Sequence, residues 1–243
     1  MRGTTSNYEG YTIRLSDYKD SDCIVTFLTK DCILTFRARG VKKIKSKNRN
    51  AISLLTKSQV TLLQMGESLT LSEAKQISVP AFDDNFLLNS CFSFLNELNA
   101  KIVESEETSE LYELLDETMS LLNQKKKECL TPCLIYFAQF LRLEGYGLNV
   151  DNCVICGKKN DIVGISLSKG GFLCREHLEF ESEKKEPRFL KIIRFCFRCS
   201  PKDMDRVCFE TNECLRCLTY LSELYEQSTG GKLRSLEYLR LAS

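Results

Sequence analysis

The sequence predicts an α+β protein: an N-terminal five-stranded barrel, then an α-helical domain with an inserted zinc module. Three observations carry this. The first eighty or so residues alternate apolar and polar side chains with the period of strands. After Pro80 the apolar residues recur with the period of helices. Within the helical part, three cysteines and the chain's one histidine stand at metal-ligand spacing. The change of period predicts a boundary between residues 1–79 and 80–243, with the metal module at 151–178.

The strands follow in order. Tyr11, Ile13 and Leu15 alternate with polar neighbours. Cys23 to Leu28 is short, apolar and rich in β-branched residues, as strands favour. Thr29-Lys30-Asp31 supplies a turn, and Cys32 to Phe36 returns as the other arm of a hairpin. Val60 to Met65 and Leu69 to Ile77, joined by Gly66-Glu67, make a further pair. Five short strands with one long loop between the third and fourth predict a small closed barrel such as an OB-fold.

The helices come next. Leu87, Cys91, Phe94, Leu95, Leu98 and Ile102 form one helical stripe. Thr108 or Ser109 can cap a second helix, with Leu111, Leu114, Leu115, Met119 and Leu122 facing inward. Lys125-Lys126-Lys127 reads as its exposed end, where cations suit the helix dipole. Thr131-Pro132 makes an N-cap and first-turn pair for a helix that Gly145 and Gly147 stop. A stripe of Phe189, Ile192, Cys196 and Cys199 follows. A last helix carries Cys214, Cys217, Leu218, Leu221 and Tyr225 and ends near Gly230-Gly231.

Composition narrows the function. The 243 residues are 43% hydrophobic and 28% charged, enough for a packed core. Lys and Arg number 34 against 33 Asp and Glu, so any surface for nucleic acid must come from local charge separation. From Cys32 to Gly66 there are eight basic residues and no acid; from Asp83 to Glu117 there are ten acids and one base. No apolar run approaches the ~18 residues that span a bilayer, which predicts no membrane segment. The first ten residues lack an apolar signal region, so the 13 cysteines read as reduced thiols or metal ligands of a cytoplasmic protein. No phosphate-cradling G-x-x-x-x-G-K-[ST] occurs.

Cys153-x2-Cys156-Gly157 is followed, after seventeen residues, by Cys174-x2-His177. Zinc takes four such ligands at tetrahedral corners, and two intervening residues let a tight knuckle aim both side chains at one point. Gly157 suits the left-handed turn such a knuckle needs. Four protein ligands leave no open position for water, so the spacing predicts one structural Zn2+ and no catalytic metal. Enzyme readings fit worse. Zinc deaminases need H-x-E before P-C-x-x-C, whereas the only histidine comes last. A Cys174–His177 nucleophilic pair would use the residues better explained as ligands. Asp83-Asp84 could serve a nuclease metal, but its place before an apolar helix suits a helix start. Cys196-x2-Cys199 and Cys214-x2-Cys217 offer a second zinc site or, more simply, buried thiols on apolar stripes.

Arg37, Arg39, Lys42, Lys43, Lys45, Lys47 and Arg49 put seven cations into thirteen residues with no balancing acid. On a barrel connection they predict a surface that attracts phosphates and releases counterions on binding. A solvated face is the alternative. Tyr8, Tyr11, Tyr18 and Phe36 are candidate stacking surfaces or core. Arg188, Lys191, Arg198 and Lys202 could extend the phosphate track or face water.

At this point the chain resembles the bacterial recombination-mediator family RecO. Four pieces carry the resemblance in order. They are Phe27-Leu28-Thr29 with Ala38-Arg39-Gly40; Leu143-Glu144-Gly145-Tyr146-Gly147-Leu148 leading into Cys153-x2-Cys156-Gly157; Gly170-Gly171-Phe172-x-Cys174-x2-His177; and Gly230-Gly231-Lys232-Leu233-Arg234-Ser235. Two departures stand out: the first hairpin turn has Asp31-Cys32 where a glycine is common, and Asn149 replaces a frequent proline. The resemblance implies an OB-fold, a helical domain and a zinc module. It also implies a non-enzymatic role: binding ssDNA and dsDNA, annealing complementary strands, engaging single-strand-binding protein and, with RecR, loading RecA at the nucleoid. A zinc-ribbon adaptor that binds only protein is the alternative function.

Overall fold

The computed structural model describes residues 4–102, 108–124 and 130–242. The chain falls into two compact units, 1–119 and 120–243. Strand gives way to helix between Ser78 and Phe86, as the change of period at Pro80 predicts. The division by compactness comes later, because the first helices group with the strands. No helix among the described residues is long and apolar enough to cross a membrane.

In the first unit five strands close a barrel: β1 (Thr4–Tyr18), β2 (Asp22–Thr29), β3 (Ile33–Ala38), β4 (Lys57–Met65) and β5 (Ser68–Ser78), in the order β1-β2-β3-β5-β4. Closure depends on the length of β1. Its first half pairs with β4, Thr4 opposite Gln64 through Tyr11 opposite Lys57. Its second half pairs with β2, Gly10 opposite Thr29 through Tyr18 opposite Asp22. A register shift between Thr12 and Arg14 bends the strand from one partner to the other, as bulges do. Arg37 opposite Thr70, in parallel pairing, seals the remaining seam between β3 and β5. Val25, Phe27, Phe36, Ala38, Val60 and Leu62 fill the interior. A single 3-10 turn, Asn50–Ile52, buries Ala51 and Ile52.

Two helices follow, α1 (Phe86–Asn99) and α2 (Thr108–Asn123). The cap of α1 is Asn85, whose side chain accepts from the Leu88 amide at 3.0 Å; Asp83 instead accepts the Asn85 amide at 2.8 Å. Leu111, Leu114, Leu115, Met119 and Leu122 of α2 are buried as their spacing predicts. On the outside of the barrel the buried Tyr11 hydroxyl donates to Asp116 at 2.6 Å, and Lys57 pairs with the same carboxylate at 2.8 Å. Lys125 to Lys127 lie outside the described residues.

The second unit contains α3 (Leu130–Leu143), the hairpin β6 (Ile162–Ser166) and β7 (Gly171–Cys174), α4 (Pro187–Arg198), α5 (Thr211–Thr229) and α6 (Ser235–Leu241). Every residue from Leu130 to Leu141 is buried, as in a helix apolar on all sides. Thr131 lies inside this helix and does not cap it. Its hydroxyl accepts the Phe209 amide at 3.0 Å, because at full burial that amide has no water to turn to. Gln139 donates to the Cys196 carbonyl at 2.6 Å and ties α3 to α4. Gly230, at φ +70°, ends α5 as expected, but the chain then forms a further short helix, α6, beyond the last one the sequence predicts.

Candidate metal centre and nucleic-acid interface

The hairpin β6–β7 and the segment before it bring Cys153, Cys156, Cys174 and His177 together, their ligand atoms all within 4.8 Å of one another. The knuckle is built locally. The Gly157 amide donates to the Cys153 carbonyl at 2.8 Å, and Gly157 takes φ +74° to let the chain turn back. The Cys153 amide donates to the Lys158 carbonyl, and the Val154 amide to the Phe172 carbonyl, which fastens the knuckle to β7. Cys174 ends β7, and a 3-10 turn, Arg175–His177, returns the imidazole to it. At Gly171 a Cβ would stand 2.3 Å from the Asn149 carbonyl oxygen, so no side chain fits where these segments cross.

The separations suit one tetrahedral ion. Cys156 Sγ lies 3.8 Å from Cys174 Sγ, and His177 Nδ1 lies 3.2 Å from Cys174 Sγ and 3.8 Å from Cys153 Sγ. Zinc–sulfur bonds of about 2.3 Å and zinc–nitrogen bonds of about 2.0–2.1 Å give tetrahedral edges of about 3.5–3.8 Å. Three thiols and an imidazole are a donor set for Zn2+. Burial pushes the Cys153 thiol up, but the amides of Cys174, Cys156 and Ile155 outweigh it and pull it down to about 6. Those amides favour the thiolate that a metal needs.

Around the cluster, Lys158 and Glu176 pair at 2.7 Å across its exposed side. Arg194 of α4 donates to the Val150 carbonyl at 3.1 Å, and Arg198 pairs with Asp151. Tyr220 of α5 donates to the Ile165 carbonyl at 3.2 Å. The module is thus docked on both helices.

The other CxxC pairs behave differently. Cys196, Cys199, Cys214 and Cys217 are buried, and among the described residues they form no cluster of metal-ligand dimensions. Burial pushes Cys199 up to about 11 and Cys217 up to about 12, and raises Cys196 well above the ordinary thiol value. All four pack as small apolar groups.

The basic segment between β3 and β4 is a chain of tight turns. The Lys43 amide donates to the Gly40 carbonyl, Ser46 to Lys43 and Arg49 to Ser46. Val41 is buried, and the Asn48 side chain accepts the Ala74 amide at 3.1 Å. The segment is therefore anchored on the barrel. Arg39, Lys43, Lys45, Lys47 and Arg49 are exposed and form no ion pair among the described residues. The expectation that the run has no balancing acid is corrected at two positions. Arg37 lies on β3 and pairs with Asp22 at 2.5 Å, and Lys42 pairs with Asp17 at 2.6 Å. Both acids come from the β1–β2 hairpin, distant in sequence, so the run by itself could not reveal them. Asp22 also accepts the Gly40 amide at 2.8 Å, and that bond and Arg37 hold its carboxyl below the ordinary range.

Of the four candidate stacking aromatics, Tyr11 and Phe36 are core residues at 1% and 2% exposure, and Tyr8 packs against the barrel core. Tyr18 is 39% exposed, with the Arg37 guanidinium 4.9 Å from its ring centre. In the helical unit the basic stripe is broken up. Arg188 pairs with Glu213 at 2.8 Å, Arg198 pairs with Asp151, and Lys202 lies beyond α4 in a 3-10 turn.

A closed five-stranded barrel followed by a helical unit with a Cys3His cluster defines a two-part α+β protein. The Recombination protein O N terminal family profile matches residues 1–80, and the Recombination protein O C terminal profile matches 84–237. The chain is 29% identical over 238 residues to the DNA repair protein RecO of Bacillus cytotoxicus, covering 95% of each chain. Over 239 residues it is likewise 29% identical to the DNA repair protein RecO of Bacillus cereus strain AH187 and of Bacillus anthracis, again covering 95% of each. The chain belongs to the RecO family of DNA repair and recombination proteins.

Proposed function

We propose that this chain is a non-catalytic recombination mediator that binds ssDNA and dsDNA, anneals complementary strands and, with RecR, helps load RecA onto strands coated by single-strand-binding protein. Residues 1–79 are then the DNA-binding barrel, and 80–243 the helical domain that carries the zinc module at 151–178. The observation that carries the reading is the row Arg39, Lys43, Lys45, Lys47 and Arg49, held outward by an anchored series of turns on a closed barrel. Two complementary strands repel each other through their phosphates. Lysines and arginines that touch phosphates lower that repulsion and leave base edges free to pair. Arg37 and Lys42 belong to the same surface, but Asp22 and Asp17 already offset their charge.

In this reading Cys153, Cys156, Cys174 and His177 hold one structural Zn2+. When bound, the ion fixes the hairpin and does no chemistry on DNA, since its four ligands close the coordination sphere. Membership of the family supports a cytoplasmic, nucleoid-associated role and the partners named.

The test is annealing of complementary oligonucleotides coated with single-strand-binding protein. The wild-type protein should accelerate pairing and show no Mg2+-dependent cleavage. Absence of any ssDNA binding at low salt overturns the reading in favour of a protein-only adaptor.

A further inference from the structure

We propose that Ile44 rests on the exposed faces of unpaired bases and makes this surface prefer single strands to duplex. The inference builds on the reading of the basic segment as a DNA contact. Ile44 is 89% exposed, the most exposed large apolar side chain among the described residues. Its neighbours in the segment divide cleanly: Val41 and Ile52 point into the barrel at 5% and 2% exposure, whereas Lys43 and Lys45 point outward. The turns closed by the Lys43 and Ser46 amides, at 3.1 and 2.9 Å, hold Ile44 away from the protein surface. The side chain therefore adds nothing to the core, and as an apolar group in water it gains by being covered.

The two flanking lysines bring phosphates to either side of it. Lysines that track the backbone on either side leave the apolar side chain facing the bases between those phosphates. In a duplex the base faces are stacked and hidden, so Ile44 has only edges and sugars to meet. In a single strand the faces are open and offer the apolar area it lacks. Contact would be lost as two strands pair, so the residue favours binding before annealing and release after it.

The chain has no tryptophan, so Ile44→Trp gives one unique fluorophore at this position. Its emission should be quenched by oligothymidylate and unaffected by inorganic polyphosphate, which offers phosphates without bases. Ile44→Ser should weaken oligothymidylate binding roughly fivefold to tenfold, the size expected for covering about half an isoleucine side chain, and leave duplex affinity unchanged. Neither change disturbs the fold, because the side chain packs on nothing. A companion variant, Arg39, Lys43, Lys45 and Arg49→Ala, separates this inference from the reading beneath it. If that variant loses binding while Ile44→Ser keeps it and Ile44→Trp emission is unmoved, the Ile44 inference alone is overturned. If the variant binds as wild type, the basic surface is not the DNA contact and the inference falls with it. Equal quenching by polyphosphate also overturns it, since the contact would then be with phosphate.

Discussion

Cys156→Ser removes one of the four metal ligands at the least packing cost, since Cys156 is the exposed member of the set. A surface substitution outside a special feature shifts stability by no more than about 0.5 kcal/mol. The module has little core of its own: Cys153, Leu173 and Cys174 are buried, with Val154, Ile162 and Leu178 only partly so. Its fully buried aliphatic side chains, Ile165 and Leu173, contribute about 1.5–3 kcal/mol each. A structural zinc site contributes about 10–16 kcal/mol, so the ion outweighs this local packing. The variant should therefore lose stoichiometric zinc and melt at a lower temperature in its C-terminal half. Wild type treated with a strong chelator should behave the same way. The assay is metal content by emission spectroscopy alongside thermal unfolding, with Cys208→Ser as the exposed-cysteine control. One zinc per chain retained by Cys156→Ser, or none in the wild type, would refute the assignment.

Three further outcomes follow from the geometry. Gly171→Ala should destabilise the module and weaken zinc retention, because its Cβ would meet the Asn149 oxygen at 2.3 Å; unchanged metal affinity on chelator titration would contradict this. The Asp22 anchor should be acid-sensitive. Its carboxyl is depressed in the folded state, so its contribution is full above the ordinary value of about 3.9 and is lost as pH falls below that through the folded value. Unfolding midpoints of wild type and Asp22→Asn should accordingly converge on acidification, and a gap that stays constant below pH ~4 would argue against the anchor. Lys42→Ala should weaken ssDNA binding less than Lys45→Ala, since Lys42 is paired with Asp17 and Lys45 is exposed without an ion pair among the described residues. Equilibrium titrations at fixed salt compare the two.

The barrel was legible because patterning and turn residues act locally: each expected strand overlaps one of the five, but β1 begins at Thr4, well ahead of the alternation at Tyr11 to Leu15. The meeting of Cys153, Cys156, Cys174 and His177 was legible for the same reason, since two short spacings and one glycine set their geometry. Pairings between remote residues were not. Asp17 and Asp22 meet the basic run only after β1, β2 and β3 align, and nothing in Arg37 to Arg49 announces them. Tyr11 and Phe36 carry the same composition signal as an exposed stacking residue, and only burial separates them. Thr131-Pro132 reads as a helix start by local chemistry, but tertiary packing recruits the Thr131 hydroxyl for Phe209 instead. The short helix α6 follows Gly230-Gly231, a stop signal that ends α5 but says nothing about what comes after.

The central claim is that the barrel's exposed cations bind single-stranded DNA through its phosphates. It is tested most directly by ssDNA affinity measured across a salt series for wild type and for Arg39, Lys43, Lys45 and Arg49→Ala. Each single-strand phosphate contact adds about 0.7 to the slope of log affinity against log salt. Four lost contacts should therefore flatten the slope by up to about 2.8 and weaken binding for every sequence tried. The thermal unfolding of the barrel should not change, since all four side chains are exposed. A folded variant with the wild-type affinity and the wild-type slope would contradict the account.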